Sequence, residues 1–275
     1  MDLTRSIILG VAGNVAGHLE QAGEADDFRG VETADPNAPK GLFPVYVPGA
    51  GEHFLSTFPI SSDRLVPPKV PDHLQIEPEL ALFCELHYSG GRVQRVAPTH
   101  FAAHDDCTIR APGAEKISQK KNWGADSKGT ADAFVALDRF EPRGVLDRFR
   151  LASYLLRDGV LEPYGIDSPV TGYSYFYAKL LDWLVDRMNH QRDEGPLESI
   201  AHWLEVAGRP ETALISVGAT RYTPFGESHF LESGDEAVVA LYDARERREP
   251  ELRAQLASRD AKSGPGLSLL RQRVV

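Results

Sequence analysis

Cysteine is almost absent from this 275-residue chain, which has only Cys84 and Cys107. Two cysteines are too few for a disulfide framework or for a zinc site built from thiolates alone, so a reducing, cytoplasmic setting is the simplest interpretation. Long apolar runs are also lacking, because none reaches the ~18 residues that a membrane helix needs. The apolar run at residues 6–12 is short and leads into a Gly-Asn turn, so it predicts a buried strand and neither a signal peptide nor a membrane contact.

Positive charge is in short supply, since 30 lysines and arginines face 40 aspartates and glutamates for a net charge of −10. A nucleic-acid-binding protein should carry a basic face, so this balance argues against nucleic acid as a partner. No internal repeat or strong change of composition marks a domain boundary. We expect one catalytic domain over residues 1–243, with residues 1–70 supplying part of its site, followed by a charged C-terminal helix and a frayed tail over residues 244–275.

Hydrophobic periodicity outlines a β-rich chain with few helices. Short apolar or alternating runs predict strands at residues 42–47, 76–86, 92–97, 134–137, 214–218 and 237–242. Three- and four-residue spacings predict helices at residues 175–188 and 197–206, while residues 148–156 fit either a helix or a strand. A brief helix is expected after Gly13, with Asn14 as its N-cap.

The most informative stretch is the predicted strand at residues 76–86. Successive side chains of a strand point to opposite faces, which places Glu77 and Glu79 on one face and a row of apolar side chains on the other. Two carboxylates so close repel each other, and a hard divalent cation relieves that repulsion by binding both. The alternative is that both glutamates simply face water at the start of the strand.

Five segments, in order along the chain, resemble motifs of the fumarylacetoacetate hydrolase family. They are Gly13-Asn14-Val15-Ala16-Gly17-His18, Ile76-Glu77-Pro78-Glu79-Leu80-Ala81-Leu82, Asp106-Cys107-Thr108-Ile109-Arg110, Trp123 followed by Lys128-Gly129, and Val217-Gly218-Ala219-Thr220 before Phe230-Leu231-Glu232-Ser233-Gly234-Asp235. The diverged sequence between them indicates a distant branch of that family. The resemblance implies a β-rich α+β fold, a mixed β-sandwich roll with a few peripheral helices, that is usually dimeric.

The resemblance also implies a chemistry. Members of the family hold Mg²⁺, or a similar cation such as Mn²⁺ or Ca²⁺, with two glutamates and one aspartate, which here become Glu77, Glu79 and Asp106. They act on small oxo-acids and 1,3-dicarbonyl compounds by carbon–carbon hydrolysis, decarboxylation, hydration or isomerisation. We therefore expect a homodimeric, divalent-metal-dependent hydrolase or lyase that cleaves or decarboxylates such a small molecule through a metal-stabilised enolate.

The same motifs imply roles for further residues. The catalytic candidates are His18, which would activate water, Lys128, which would hold the developing oxyanion, and Glu20. The candidates for binding substrate are Asn14, Arg110 and Thr220, the last of these for the substrate carboxylate. Elementary chemistry agrees with the metal assignment, because three carboxylates suit Mg²⁺, Mn²⁺ or Ca²⁺ better than zinc, and because a bound cation acts as a Lewis acid.

Two assignments keep an alternative. Asp105 stands beside Asp106, and either could be the ligand, although the spacing to Arg110 favours Asp106. The other possibility is that both aspartates cap a turn. A lone histidine such as His18 often does no more than face the polar side of a short helix, although its pKa near neutrality suits a general base.

The lysine role is also open. Lys120, Lys121 and Lys128 compete for it. Lys128 ranks first because Gly129 follows it as in the family, and Lys121 ranks second. A lysine in a polar loop is usually solvated, which is the alternative for all three.

One departure from the family bears on the reaction. Related enzymes pair the histidine with a glutamate three residues on, where this chain has Gln21. A glutamine can hold an imidazole ring but cannot stabilise an imidazolium as a charge would, and Glu20 points to another side of the helix. The alternatives are an isomerase or hydratase on the same scaffold, which needs proton transfer but no strong base for water, or a non-catalytic relative that binds a metabolite.

Overall fold

The structure, a computed structural model, describes residues 1–28, 30–31, 33, 35–69, 73–110 and 114–275. Its strands are β1 (Ile7–Ala12), β2 (Gly41–Tyr46), β3 (Ile60–Ser61), β4 (Arg64–Leu65), β5 (Leu74–Gln75), β6 (Pro78–Ser89), β7 (Arg92–Asp105), β8 (Thr108–Ile109), β9 (Lys128–Thr130), β10 (Val135–Ala136), β11 (Phe149–Arg157), β12 (Val160–Pro169), β13 (Thr212–Ser216), β14 (Glu236–Asp243) and β15 (Leu267–Val274). Its α-helices are α1 (His18–Gln21), α2 (Ser118–Lys121), α3 (Tyr177–His190), α4 (Ile200–Val206), α5 (Pro224–Ser228) and α6 (Glu249–Ala257). None of the helices in these ranges has the length and apolar character needed to cross a membrane.

Two large sheets make up the fold. The first runs in the order β2-β1-β13-β6-β7-β9-β3, with β10 also pairing with β7, and the second runs in the order β12-β11-β14-β15-β4. Most neighbours are antiparallel, whereas β1 with β13, β3 with β9 and β4 with β15 are parallel. A short third ladder joins β5 to β8. The architecture is a β-rich α+β roll with mixed sheets and peripheral helices, as the sequence predicted.

The main core lies between the two sheets. Strand β7 of the first sheet packs against β14 and β15 of the second, and Phe101 meets Phe149 edge to face with ring centres 4.8 Å apart. Helix α3 packs against β7 and buries Leu180, Leu184 and Met188. Their four-residue spacing is part of the pattern that predicted this helix, and α4 lies beside it.

Strand β6 separates the main core from the face that carries the site. Leu80 belongs to the main core, and Ala81 belongs to a smaller apolar cluster on the opposite face. Because side chains alternate along a strand, Glu79 shares the face of Ala81. The strand begins at Pro78 and not at residue 76, so Glu77 lies just before it and is positioned by other contacts.

The C-terminal segment is the main correction to the expected fold. Helix α6 forms where a charged helix was expected, but the prediction of a frayed end is wrong, because β15 pairs with β14 and β4 inside the second sheet. Leu267, Leu270 and Val274 are buried there, and the burial of apolar side chains stabilises the strand. The ambiguous segment at residues 148–156 forms strand β11 almost throughout.

The N-terminal turn differs from the prediction in its cap. Helix α1 is one turn long and its N-cap is Gly17, so the assignment of Asn14 as N-cap is wrong. The Asn14 amide instead donates to the carbonyls of Tyr175 and Val217, and its Oδ1 accepts the Tyr175 N–H. Asn14 therefore fastens this turn to the end of β13 and to the segment that leads into α3.

Candidate metal centre

Three carboxylates meet at the open end of the β6–β7 hairpin. Glu79 is in β6, Glu77 immediately precedes that strand, and Asp106 immediately follows β7. The pairing of β6 with β7 brings the two ends together, and the Asp106 N–H donates to the Glu77 carbonyl over 3.0 Å. One oxygen from each side chain lies within 4.8 Å of the other two, and all three side chains are buried. The structure thus brings together the three predicted ligands, called the triad below.

The two adjacent aspartates have different surroundings. Asp105 Oδ1 accepts the Glu77 N–H over 2.9 Å, so this carboxylate fixes the backbone before β6. Asp106 belongs to the triad; its Oδ2 lies 2.6 Å from the Lys121 ammonium, and its Oδ1 has no hydrogen-bond partner within the described ranges. Burial raises the pKa of Asp106 above its ordinary value, against the opposing charges of Lys121 and Lys128. A buried carboxylate oxygen without a donor is a group that a cation can complete.

Glu77 is the member of the triad that protein groups neutralise. Arg110 Nη2 lies 2.7 Å from its Oε1, and Lys121 Nζ lies 2.5 Å from its Oε2. Burial by itself would raise the pKa of Glu77, but the charges of Lys121 and Arg110 outweigh burial and hold this pKa well below its usual value. Glu77 is therefore ionised in the folded protein.

Glu79 has no such neutralisation. Its Oε2 accepts the Gly218 N–H over 2.7 Å, and the described residues offer it no ion pair. Burial, followed by the negative charge of Asp106, raises the pKa of Glu79 well above its usual value. A divalent cation beside Glu79 would favour the ionised form that the protein's own groups leave unsupported.

A small cavity adjoins the triad. Its volume is about 20 Å³, which is room for about one water. It is lined by the triad, by His18 and Lys121, and by apolar side chains that include Leu19, Phe43 and Ile117. Apolar walls lower the local dielectric and so strengthen every electrostatic interaction within the cavity.

His18 lines this cavity from the start of α1. Its Nε2 lies 3.8 Å from Glu77 Oε1, and its ring packs on Tyr222 with centres 5.4 Å apart. Its Nδ1 is buried without a hydrogen-bond partner in the described part of the chain. Gln21 does not hold the ring, because its amide donates to Glu227 Oε1 and accepts the Tyr222 N–H. Among the described residues, the histidine thus meets a carboxylate of the triad on its Nε2 side and none at its Nδ1 atom.

Lys128 lies behind the triad and not in a polar loop. It is fully buried in β9, where its ammonium donates to the Cys107 carbonyl and lies 3.8 Å from Asp106 Oδ1. It does not line the cavity, whereas Lys121, the lysine ranked second, does. The lysine that faces the cavity is therefore Lys121.

Arg110, a predicted substrate-binding residue, is occupied within the protein. Its guanidinium donates to Gln75 Oε1 over 2.6 Å, to Glu77 Oε1 and the Tyr222 hydroxyl over 2.7 Å, and to Glu24 Oε1 over 2.8 Å. These four acceptors take most of its five N–H donors, and Arg110 is not part of the cavity wall that the structure describes. The guanidinium thus holds Glu77 in place, and a role of Arg110 in binding substrate stays a prediction.

Three further candidates lie away from the cavity. Asn14 fastens the backbone, as described above. Thr220 lines a separate cavity beside Tyr173, while its neighbour Ala219 lines the cavity at the triad. Glu20 is exposed on α1 and points to solvent.

Two residues that accept hydrogen bonds from the lysines of α2 were not among the residues predicted from the sequence. Thr108 Oγ1 lies 2.5 Å from Lys121 Nζ, and Glu24 Oε1 lies 3.0 Å from Lys120 Nζ. Glu24 and Lys120 are 96 residues apart in the chain, so no local pattern marks them as partners. Such charge pairs become visible only when the fold brings the segments together.

The donor set of the triad fits a hard divalent cation. Three carboxylate oxygens within 4.8 Å of one another match the oxygen ligands of Mg²⁺, Mn²⁺ or Ca²⁺, whereas zinc prefers nitrogen and sulfur. The unpartnered Oδ1 of Asp106 and the raised pKa of Glu79 point the same way. Lys121 is the group that a bound cation would have to accommodate, because its ammonium already touches two of the three carboxylates.

Comparisons with known proteins place the chain in a family. A family of unknown function, DUF5718, matches residues 24–274, so the chain belongs to it. No curated protein matches the sequence.

Solved structures share the fold at low sequence identity. A protein described as a fumarylacetoacetate hydrolase family member from Yersinia pestis CO92 is 13% identical, with a TM-score of 0.53 over 100% of this chain and 95% of that chain. The 5-carboxymethyl-2-hydroxymuconate delta-isomerase from Mycobacterium smegmatis is 13% identical, with a TM-score of 0.53 over 98% of this chain and 78% of that chain. A protein described as HpcE from the same organism is 16% identical, with a TM-score of 0.55 over 99% of this chain and 76% of that chain. At these identities the likeness shows the fold alone, and the predicted resemblance to the fumarylacetoacetate hydrolase family is confirmed at that level.

Proposed function

We propose that this member of the DUF5718 family is a divalent-metal-dependent hydrolase or lyase that cleaves or decarboxylates a small oxo-acid or 1,3-dicarbonyl compound. The observation that carries the proposal is the buried triad, in which one oxygen each from Glu77, Glu79 and Asp106 lies within 4.8 Å of the others. Burying three carboxylates together is unfavourable unless a cation joins them.

The proposed chemistry divides between the cation and the chain. Mg²⁺ or Mn²⁺ held by the triad would supply a Lewis acid that polarises the carbonyl oxygens of a chelating substrate. His18 Nε2 faces the cavity next to Glu77 and is placed to hold or move a proton there. The apolar wall, including Phe43 and Ile117, limits the water that competes with substrate. Because the cavity holds about one water, substrate binding requires side chains of this wall to move.

An isomerase or hydratase on the same scaffold is the second candidate, and the surroundings of His18 favour it. The Nδ1 atom has no partner among the described residues, and Gln21 is turned toward Tyr222 and Glu227. With no carboxylate among the described residues to orient the ring and stabilise an imidazolium, His18 suits the shuttling of a proton better than the activation of water. The fold shared with the isomerase from Mycobacterium smegmatis agrees with this candidate.

The test is turnover of oxaloacetate and an acylpyruvate by protein first treated with EDTA. We expect activity only after Mg²⁺ or Mn²⁺ is restored, and its loss in Glu79→Ala. Glu85→Ala is the matched control, because Glu85 lies on the same strand and is exposed. Product analysis separates the two candidates, since an isomerase or hydratase leaves the carbon skeleton intact. Full activity of Glu79→Ala, or activity in EDTA, would contradict the proposal.

The proposal includes the expected homodimer, a cytoplasmic location and a free small molecule as the partner, with neither nucleic acid nor membrane involved. Two buried free cysteines and a net charge of −10 support it. Light scattering tests the dimer, which should have twice the 30.3 kDa mass of the chain. A mass of one chain at micromolar concentration would contradict it.

A further inference from the structure

One lysine lies inside the triad. Lys121 Nζ is 2.5 Å from Glu77 Oε2 and 2.6 Å from Asp106 Oδ2, and it lines the cavity. Its side chain is 4% exposed, so water contributes little to balancing its charge. The ammonium therefore lies where two of the three predicted ligands converge, at ion-pair distance from both.

A divalent cation would compete for this position. Mg²⁺ binds carboxylate oxygens at about 2.0–2.1 Å and Ca²⁺ at about 2.3–2.6 Å, which are close to the distances that the ammonium now keeps. Two positive centres bound to the same pair of carboxylates repel each other strongly in an interior of low dielectric. A cation that takes Glu77 Oε2 and Asp106 Oδ2, the oxygens that Lys121 now contacts, therefore displaces the ammonium from them.

The other cations near the triad do not raise the same conflict. Arg110 reaches only Glu77 and binds its Oε1, the oxygen that Lys121 does not touch. Lys128 stands outside the cavity, 3.8 Å from Asp106 Oδ1. Lys121 is thus the described cation that bridges two triad carboxylates.

We propose that Lys121 is a tethered counter-ion, which neutralises Glu77 and Asp106 in the metal-free protein and leaves both carboxylates when a divalent cation binds. This inference rests on the proposed metal centre and adds a residue that sets its affinity. Thr108 Oγ1, 2.5 Å from Lys121 Nζ, and the Asp106 carbonyl, 3.5 Å away, are acceptors outside the three carboxylates that can keep the displaced ammonium. Lys121 then stabilises the metal-free state and weakens cation binding.

The test is calorimetric titration of the EDTA-treated full chain with Mn²⁺. Wild type is compared with Lys121→Met, and Lys120→Met is the matched control. Lys120 is the preceding residue of α2, and its ammonium pairs with Glu24 and Asp27 outside the triad. We expect Lys121→Met to bind Mn²⁺ at least about tenfold more tightly than wild type, which corresponds to about 1.4 kcal/mol, and Lys120→Met to bind as wild type does.

A second readout follows thermal unfolding. Lys121→Met should unfold at a lower temperature than wild type in EDTA, because Glu77 and Asp106 lose a shared partner, and saturating Mn²⁺ should reverse that loss. If Lys121→Met does not fold, Lys121→Gln keeps a hydrogen-bonding side chain without the charge and takes its place in both measurements.

Each outcome decides the inference. Equal Mn²⁺ affinity of wild type and the Lys121 variant would overturn the tethered counter-ion while leaving the metal centre in place. Binding by the Lys121 variant alone would support the counter-ion and contradict a metal-dependent activity of the natural chain. Absence of Mn²⁺ binding in every variant would overturn both the counter-ion and the proposed function.

Discussion

Two arginine–carboxylate pairs of the molecule differ in their access to water. In the five-stranded sheet, Arg150 and Asp167 pair across β11 and β12 at 3.0 Å, with side chains 33% and 26% exposed. At the triad, Arg110 and Glu77 pair at 2.7 Å with side chains only 10% and 4% exposed, and Glu79 has no cationic partner among the described residues. Water solvates the first pair, whereas the second pair is largely shielded from water.

The charged groups around the triad are mostly shielded from water, which suits binding of a cation better than it suits stability. Around the triad, five enclosed carboxyl groups meet four cations: Glu24, Glu77, Glu79, Asp105 and Asp106 against Arg110, Lys120, Lys121 and Lys128. Pairs near the surface contribute little to stability and need no ligand. A buried carboxylate without a cationic partner, such as ionised Glu79, destabilises the fold, and a bound cation would relieve that cost.

The largest contrast should come from removing the arginine of each pair. Arg110→Met leaves Glu77 and Glu24 buried with one partner fewer, which should lower the free energy of unfolding by about 3–5 kcal/mol. Arg150→Met is the control, because Asp167 remains partly hydrated and keeps the Tyr242 hydroxyl at 2.9 Å, and it should lower stability by about 1 kcal/mol or less. Urea denaturation measures the free energy of unfolding of both variants. Equal losses in Arg110→Met and Arg150→Met would show that the buried pair is no more important for stability than the hydrated pair.

A smaller effect of opposite sign is expected at Glu79. Its folded pKa is raised, so the folded protein binds more protons than the unfolded chain above the unfolded pKa, and stability falls as pH rises through that range. Glu79→Gln removes the uncompensated charge and keeps an oxygen for the Gly218 N–H. In EDTA at pH 8 the variant should be more stable than wild type by about 1–2 kcal/mol, with a smaller difference at pH 5. A variant less stable than wild type at both pH values would mean that Glu79 is not a strained group.

The smallest effect concerns Glu236 in the five-stranded sheet. Partial burial would raise its pKa, but hydrogen bonds from Arg259 and Arg271 outweigh burial and lower it. A lowered folded pKa gives stability that is present above the unfolded pKa and is lost as pH falls through the folded value. Between pH 7 and pH 3, the free energy of unfolding of Glu236→Gln should therefore fall less than that of wild type, by about 1 kcal/mol or less. Urea denaturation at each pH measures the difference. The same pH dependence of stability in wild type and Glu236→Gln would show that the pairs of Glu236 with Arg259 and Arg271 do not contribute to it.

Patterns that depend on neighbouring residues could be predicted from the sequence. The alternation along β6 predicted which residues face the core, and the four-residue spacing of Leu180, Leu184 and Met188 predicted α3. Glu77 and Glu79 were paired for a partly incorrect reason, since only Glu79 lies in the strand. Asp105 and Arg110 orient Glu77 instead.

Features that depend on distant partners could not be predicted. Strand β15 has a polar residue at an inward position, Gln272, whose amide NH₂ donates to the carbonyls of Arg64 and Lys128 far away in the chain. That inward glutamine hides the alternation of Leu270 and Val274 on either side. Lys121 likewise reaches Glu77 across 44 residues of sequence, a pairing that only the folded chain reveals.

The most direct test of the account is anomalous diffraction at the manganese edge from crystals soaked in Mn²⁺. The account predicts one strong peak at coordination distance, about 2.0–2.4 Å, from oxygens of Glu77, Glu79 and Asp106, with the Lys121 ammonium moved off both Glu77 and Asp106. No peak between the three carboxylates at saturating Mn²⁺, with Lys121 still in contact with Glu77 and Asp106, would contradict it.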